Sequence, residues 1–133
     1  MTYKNLYYVG SNPITRAVTE QNFGFFGYDV RVGLPDSVKE HQNIERFSDT
    51  HQFLQKAGMS DVILLNRESM APLDTEFDNV LDVYLQSLKD SEYRGDVYVT
   101  THNEPRDTSR NMAFHLQYKV LKYPVGPLDI QNW

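Results

Sequence analysis

Short apolar runs alternate with helical periods along the whole chain, and this alternation is the strongest constraint on its fold. The apolar runs predict strands at residues 5–9, 28–32, 61–66, 96–101 and 118–123. The helical periods lie between them, at residues 13–26, 49–57, 74–88 and 105–115. Short strands joined by helical crossovers pair in parallel through right-handed connections. The pattern therefore predicts an α/β protein, a three-layer α/β/α sandwich around a parallel five-stranded sheet with the flavodoxin-like order 2-1-3-4-5.

Capping residues fix several helix ends. Asn12 followed by Pro13 predicts the start of the first helix, and Gly27 predicts its end. Apolar positions recur between them at helical spacing, and the aromatic residues around this helix are expected to be mostly core, although the run FGFF exceeds what one buried face requires. A partly exposed apolar patch there would be a candidate contact surface. Ser48 is predicted to cap the second helix.

Two segments lack a sustained period. Residues 33–47 combine turn formers with charges, so a loop with at most one helical turn is expected there. Only nine residues follow Pro124, so the fifth helix is expected to be short or missing.

Composition excludes several function classes. A chain of 133 residues with 40% hydrophobic residues predicts a single domain over residues 1–133. The net charge of −5 gives no long-range attraction to nucleic acid or to an anionic membrane. There is no cysteine for a disulfide or a thiolate metal site, and no apolar run is long enough for a membrane span. These features favour a cytoplasmic protein.

The predicted strands end in polar or small residues, and in parallel sheets such ends meet at one edge, where ligands bind. The residues at those ends are Gly10 and Ser11, Asn66, Thr100 and Thr101, and Tyr123. The four histidines lack the spacing of a zinc site, and no acid, base and nucleophile set converges, so neither a metal centre nor an enzyme is predicted.

The order of several short segments resembles the receiver domain of bacterial response regulators. These segments are NPITRAVTEQ with FGYDV, SDVILLNRESMAPLD, DVYVTTH and VLKYPV. The resemblance implies an aspartate that accepts a phosphoryl group, two acidic residues that hold Mg²⁺, a hydroxyl residue and a lysine. Position by position, the acidic pair falls on Gly10 and Ser11, the acceptor on Asn66, the hydroxyl on Thr100 and the lysine on Tyr123.

Only the hydroxyl residue of that set is retained. A carboxamide at Asn66 cannot form an acyl phosphate, and Mg²⁺ prefers anionic oxygen ligands. No metal and no cofactor are therefore expected. Lys122 could replace the missing lysine only by a one-residue slip, which would point it to the other face of the sheet. The aromatic residue that the family carries on this strand corresponds to Val120.

The sequence thus predicts a degenerate receiver that works without phosphorylation, as a protein-interaction module, for instance in a transcriptional regulator with an output domain on a longer chain. A protein partner or a second copy is expected to bind at Arg106 to Tyr123, the predicted fourth helix and fifth strand. The alternative is a sensor for a small anion or nucleotide, in which Arg67, His102 and Lys122 contribute to an emptied acidic pocket.

Overall fold

The computed structural model describes residues 4–36, 44–70, 77–101, 118–123 and 125–131. Six strands form one parallel sheet in the order β3-β2-β1-β4-β5-β6. The strands are β1 (Lys4–Val9), β2 (Tyr28–Pro35), β3 (Glu45–Phe47), β4 (Val62–Asn66), β5 (Asp96–Thr101) and β6 (Lys119–Lys122). The helices are α1 (Pro13–Phe25), α2 (Thr50–Ala57), α3 (Arg67–Met70), α4 (Phe77–Asp90) and α5 (Pro127–Gln131). The last helix is short, as expected, and the helix predicted at residues 105–115 lies outside the described residues.

The sheet has six strands instead of the predicted five. Without β3, the strand order is the flavodoxin-like order that the sequence predicted. The extra strand lies within residues 33–47, where a loop was expected, and it extends the sheet beyond β2.

Two side chains hold this short strand in place. Phe47 is fully buried and contacts Phe53 and Tyr84, with ring centroids 5.2 and 5.4 Å away. Glu45 accepts two hydrogen bonds from Arg31 on β2, of 2.9 Å from Nε and 2.6 Å from Nη2. Arg31 also donates to the carbonyl oxygen of Lys56 at the end of α2. Aromatic burial and a bidentate ion pair therefore stabilise a strand that has no apolar run of its own.

Two hydrophobic clusters lie on opposite faces of the sheet, which gives the three predicted layers. One cluster packs α2 and α4 against the sheet, with Phe53, Leu81 and Leu85 among its fully buried members. The other packs α1 and α5 against the opposite face through Phe23 and Ile130. Successive residues of β1 alternate between the two clusters, as the pleat of a strand requires.

Helix α1 begins at the predicted residue and ends one residue before the predicted end. The side chain of Asn12 accepts hydrogen bonds from the backbone N–H groups of Ile14 and Thr15, so Asn12 is the N-cap. Gly27 follows the helix with a φ of 90°, in the left-handed region that favours glycine. In α2, by contrast, the cap is Asp49 and not Ser48, because the Asp49 carboxylate accepts from the Gln52 N–H at 2.9 Å.

The aromatic residues around α1 are mostly core, as expected. Helix α1 nevertheless turns two polar residues toward the sheet. Its buried residues are Arg16, Thr19 and Phe23, whereas Phe25 is 86% exposed and Phe26 is 52% exposed. The exposed apolar patch suggested by the run FGFF is therefore present.

Among the described residues, no helix combines the length and apolar character needed to cross a bilayer.

The ion pair between Arg31 and Glu45 should be detectable in measurements of stability. The hydrogen bonds from Arg31 lower the pKa of the Glu45 carboxyl. The stabilisation that the ion pair gives the folded state is therefore complete above the ordinary carboxyl pKa, and it is lost as the pH falls through the lowered value. The pair is about one-third exposed, so Glu45→Gln should lower the free energy of unfolding by less than about 1 kcal/mol at neutral pH. Urea unfolding between pH 3 and 7 measures this, with the exposed Glu20→Gln as control. A difference that persists unchanged at the acid end would contradict this role for the ion pair.

Candidate functional site

The carboxyl ends of four neighbouring strands bring the predicted site residues together. Asn66 ends β4 and pairs in register with Thr100 on β5, while Tyr123 follows β6 and donates its backbone N–H to Thr101. Gly10 and Ser11 follow β1, the strand beside β4. All five predicted residues therefore lie at one edge of the sheet, and two hydrogen-bonded chains connect four of them, Ser11, Asn66, Thr100 and Tyr123.

The first chain joins β1 to β5 through neutral groups. Ser69, in α3, accepts a hydrogen bond from the Ser11 N–H at 2.8 Å, and its Oγ lies 3.0 Å from the Ser11 Oγ. The Ser69 hydroxyl donates to the Asn66 carboxamide oxygen, and the Asn66 Nδ2 donates to the Thr100 carbonyl oxygen at 3.4 Å. Asn66 and Ser69 are 3% and 2% exposed, so the amide is enclosed with both of its polar atoms engaged.

The second chain joins β1 to β6 through hydroxyl groups. Thr100 donates from its Oγ1 to the Tyr123 phenol oxygen at 3.0 Å. Tyr123 in turn shares a short hydrogen bond with the hydroxyl of Tyr8, and the two rings meet edge to face with centroids 6.5 Å apart. Thr100 therefore belongs to both chains, which meet at this residue.

The ring of Tyr8 occupies the space beside Gly10. A Cβ atom added at Gly10 would lie 2.4 Å from both the Tyr8 Cζ and its hydroxyl oxygen, a distance that Cβ atoms essentially never adopt. Tyr8 is fully buried and belongs to the cluster beneath α1. Position 10 consequently has no room for a side chain while Tyr8 keeps this rotamer.

The polar interior of the site is uncharged. Burial raises the pKa of the Tyr8 phenol, while hydrogen bonds with Tyr123, Thr15 and Thr19 and the charge of Arg16 lower it less, so Tyr8 is neutral at physiological pH. Arg16 is 4% exposed and donates to the Ser11 carbonyl oxygen at 3.3 Å, so one buried cation borders these groups from α1. Within the described part of the chain, no three histidine or acidic side chains are grouped so that they could hold a metal ion.

Two of the three residues suggested as anion contacts lie among the described residues. Arg67 is buried at the start of α3, whereas Lys122 is exposed on β6. His102 lies outside the described residues. The Val120 side chain packs against the cluster beneath α2 and α4, as does that of Tyr118.

Sequence reasoning missed two functional positions, Tyr8 and Ser69. Ser69 could have been found from its spacing, since a residue three positions after Asn66 returns to it if one helical turn follows the strand. Tyr8 had a weaker signal: it lies two residues before Gly10, and alternation along β1 puts positions 8 and 10 on one face.

No protein-family model and no curated protein sequence matches the chain. Solved structures do match, and receiver domains among them match over almost the whole length of the chain. The chain has the fold of a response regulator receiver domain.

Three structures illustrate the likeness to receivers. The CheY-like receiver domain protein of Methanospirillum hungatei JF-1 superposes with a TM-score of 0.60 and 16% identity, over 98% of this chain and 90% of that chain. The chemotaxis response regulator CheY4 of Vibrio cholerae gives a TM-score of 0.56 at 16% identity, over 98% and 95% of the two chains. A Burkholderia pseudomallei response regulator, solved with a phosphorylated aspartic acid, a calcium ion and citrate, gives 0.59 at 14% identity, over 96% and 64%.

The contact between Tyr8 and Gly10 predicts opposite effects of one methyl group at two glycines. Gly10→Ala should lower the free energy of unfolding by about 1–3 kcal/mol, because the added Cβ overlaps the Tyr8 ring. Gly24→Ala should instead raise it by about 0.5–1 kcal/mol, because Gly24 lies in α1 with open space around its Cα. Chemical denaturation of both variants provides the measurement. Equal effects at the two positions would show that the space beside Gly10 is not filled.

The raised pKa of Tyr8 predicts a loss of stability in alkali. Above pH 10 the unfolded chain releases the phenol proton while the folded chain keeps it, so the free energy of unfolding falls as the pH rises. Each such tyrosine contributes a slope of up to about 1.4 kcal/mol per pH unit. Tyr8→Phe should flatten the decline between pH 10 and 11.5 by up to that amount, as measured by urea unfolding. An unchanged slope would mean that Tyr8 ionises freely in the folded protein.

Proposed function

We propose that the chain is a receiver-like regulatory domain that acts by binding other proteins, without phosphorylation and without Mg²⁺. One observation carries the proposal. Tyr8 fills the space at Gly10, where the resemblance to receivers would place an acidic side chain, and neutral hydroxyl and amide groups occupy the rest of the site.

Phosphoryl transfer needs groups that are missing from the described residues of this site. An acyl phosphate forms on a carboxylate, whereas the Asn66 side chain is an amide whose oxygen accepts from Ser69 and whose nitrogen donates to Thr100. Mg²⁺ is held by anionic oxygens that also neutralise the developing charge. Ser11 and Ser69 offer only hydroxyls, which are weak ligands for this ion. These features support a site that stabilises the sheet edge and does no chemistry.

The domain would then regulate by binding a partner protein through its surface. The proposed partner surface is residues 106–123, of which 118–123 are described. Its strand β6 is an edge of the sheet, and Lys119 and Lys122 are exposed on it. Exposed lysines on an edge strand discourage unspecific strand pairing and favour a partner with acidic groups. On a longer chain this surface would contact an output domain, such as that of a transcriptional regulator, in the cytoplasm.

The packing favours this proposal over the anion sensor. An anion in the emptied pocket would need space and donors at the strand ends. Tyr8, Asn66 and Thr100 are buried there, and the polar atoms of Asn66 already have partners. Binding an anion would require breaking these hydrogen bonds in a buried site, which costs about 1–3 kcal/mol for each group left unsatisfied.

Restoring the missing acceptor provides the test. Asn66→Asp replaces the donor to the Thr100 carbonyl with a carboxylate oxygen, so it should lower the free energy of unfolding by about 1–3 kcal/mol. Because positions 10 and 11 still lack carboxylates, neither this variant nor the wild type should gain a phosphoryl group from acetyl phosphate and Mg²⁺. Intact-protein mass spectrometry gives the answer, with a phosphorylatable receiver treated in parallel as control. Mg²⁺-dependent modification of the wild-type chain at Asn66 or a neighbouring residue would refute the proposal.

A further inference from the structure

The apolar stripe of α1 points away from the protein. Ile14, Val18, Gln21 and Phe25 are spaced by four, three and four residues, so they follow one line along the helix. Ile14 is 74% exposed, Val18 39% and Phe25 86%. The buried positions Arg16, Thr19 and Phe23 lie about half a turn away, on the side that faces the sheet.

The exposed apolar surface continues beyond the helix. Phe26 is 52% exposed and its ring meets that of Phe25 edge to face, with centroids 5.6 Å apart. Leu128 in α5 is 63% exposed and lines a groove together with Phe25, Phe26 and Pro127. One patch therefore runs from Ile14 along α1 to α5, and it is called the α1 patch below.

The α1 patch cannot be buried by turning the helix. Such a rotation would expose Phe23, which packs against the sheet, and would remove Thr19 and Arg16 from the neighbourhood of the Tyr8 hydroxyl. The apolar stripe must therefore be covered from outside the domain, or remain in water. Contiguous apolar patches of this kind on soluble proteins are commonly interaction sites.

The spacing of the stripe identifies the kind of partner. Alternating intervals of four and three residues form a seam that packs against another helix with the same intervals, side chains of one entering the gaps of the other. A second copy of this chain supplies that helix. In a twofold, antiparallel pair of α1 helices, Ile14 of one copy lies near Phe25 of the other, and Val18 lies near Gln21.

Charge and area are also consistent with a second copy. The only ionisable residues in α1 are Arg16, which is buried, and Glu20, so two copies of this helix meet without a cluster of like charges although the chain carries −5 overall. The five apolar side chains expose on the order of 600 Å² per copy, which approaches the roughly 800 Å² that each partner buries in a standard interface. We infer that two copies of this chain associate through the α1 patch, α1 packing antiparallel on α1 with Leu128 and Phe26 at its margin.

Single substitutions of exposed residues test this surface without disturbing the core. Wild type should self-associate in sedimentation velocity over a range of micromolar concentrations, and Val18→Glu and Phe25→Glu should each raise the dissociation constant more than about tenfold. Val83→Glu is the matched control, since Val83 is an exposed valine on α4. Lys119→Glu on β6 tests the separate partner surface proposed above. Both control variants should associate like the wild type.

The absence of native cysteine allows a second, geometric measurement. A short bis-maleimide should cross-link the Gln21→Cys variant to a second copy of itself, and adding Phe25→Glu should abolish the cross-linked product. The control variant Lys89→Cys, on α4, should give no cross-linked product. A wild-type chain that stays monomeric at all concentrations overturns the inference. An association that Phe25→Glu leaves intact also overturns the inference. If only Lys119→Glu removes the association, the contact between the copies lies at β6.

Discussion

The packing of Tyr8 beneath α1 is the interaction on which the rest of the site depends. The ring lies where a side chain at position 10 would otherwise lie, so that position is glycine. Its hydroxyl reaches Tyr123 after β6, and Tyr123 reaches Thr100 on β5, so one residue of β1 connects three strand ends. Because these groups are neutral, and Tyr8 and Thr100 are fully buried, they satisfy one another without any ion. The edge of the sheet that carries chemistry in many α/β proteins is here a packed, hydrogen-bonded part of the interior.

The same tyrosine accounts for the unusual orientation of α1. A buried phenol needs hydrogen-bond partners, and the side of α1 above it supplies Thr15 and Thr19, with Arg16 close by. Polar residues therefore take sheet-facing positions that apolar residues usually hold. The apolar period of the helix is left on the opposite side, where Ile14 and Phe25 face water. The chemistry of the sheet interior thus helps to determine which residues α1 exposes.

The sequence predicted the local structure better than the tertiary contacts. Asn12, Pro13 and Gly27 act through neighbouring backbone groups, so the ends of α1 could be predicted. The spacing of Ile14, Val18 and Phe25 showed that a stripe exists, but spacing cannot say which way a stripe faces. That direction depends on Tyr8, a residue of another element.

The strand β3 escaped prediction for a similar reason. Its three residues have no pattern of their own, and they form a strand because Phe47 meets Phe53 and Tyr84 while Glu45 meets Arg31. The convergence of Ser11, Asn66, Thr100 and Tyr123 could be predicted, because parallel strands bring their carboxyl ends to one edge. Ser69 could not be predicted with the same ease, since its part in the site requires the turn of helix that follows β4.

The shortness of β3 also bears on the solubility of the protein. The eight-residue strand β2 would otherwise end the sheet on that side, with a long row of unpaired amide and carbonyl groups. The three residues of β3, one of them the ion-paired Glu45, pair with Gly33, Leu34 and Pro35 and offer an incoming strand only a short, charged edge at that end of β2. At this end of the sheet edge, a domain that exposes apolar side chains on one helix thereby limits strand addition, the other common route to uncontrolled assembly.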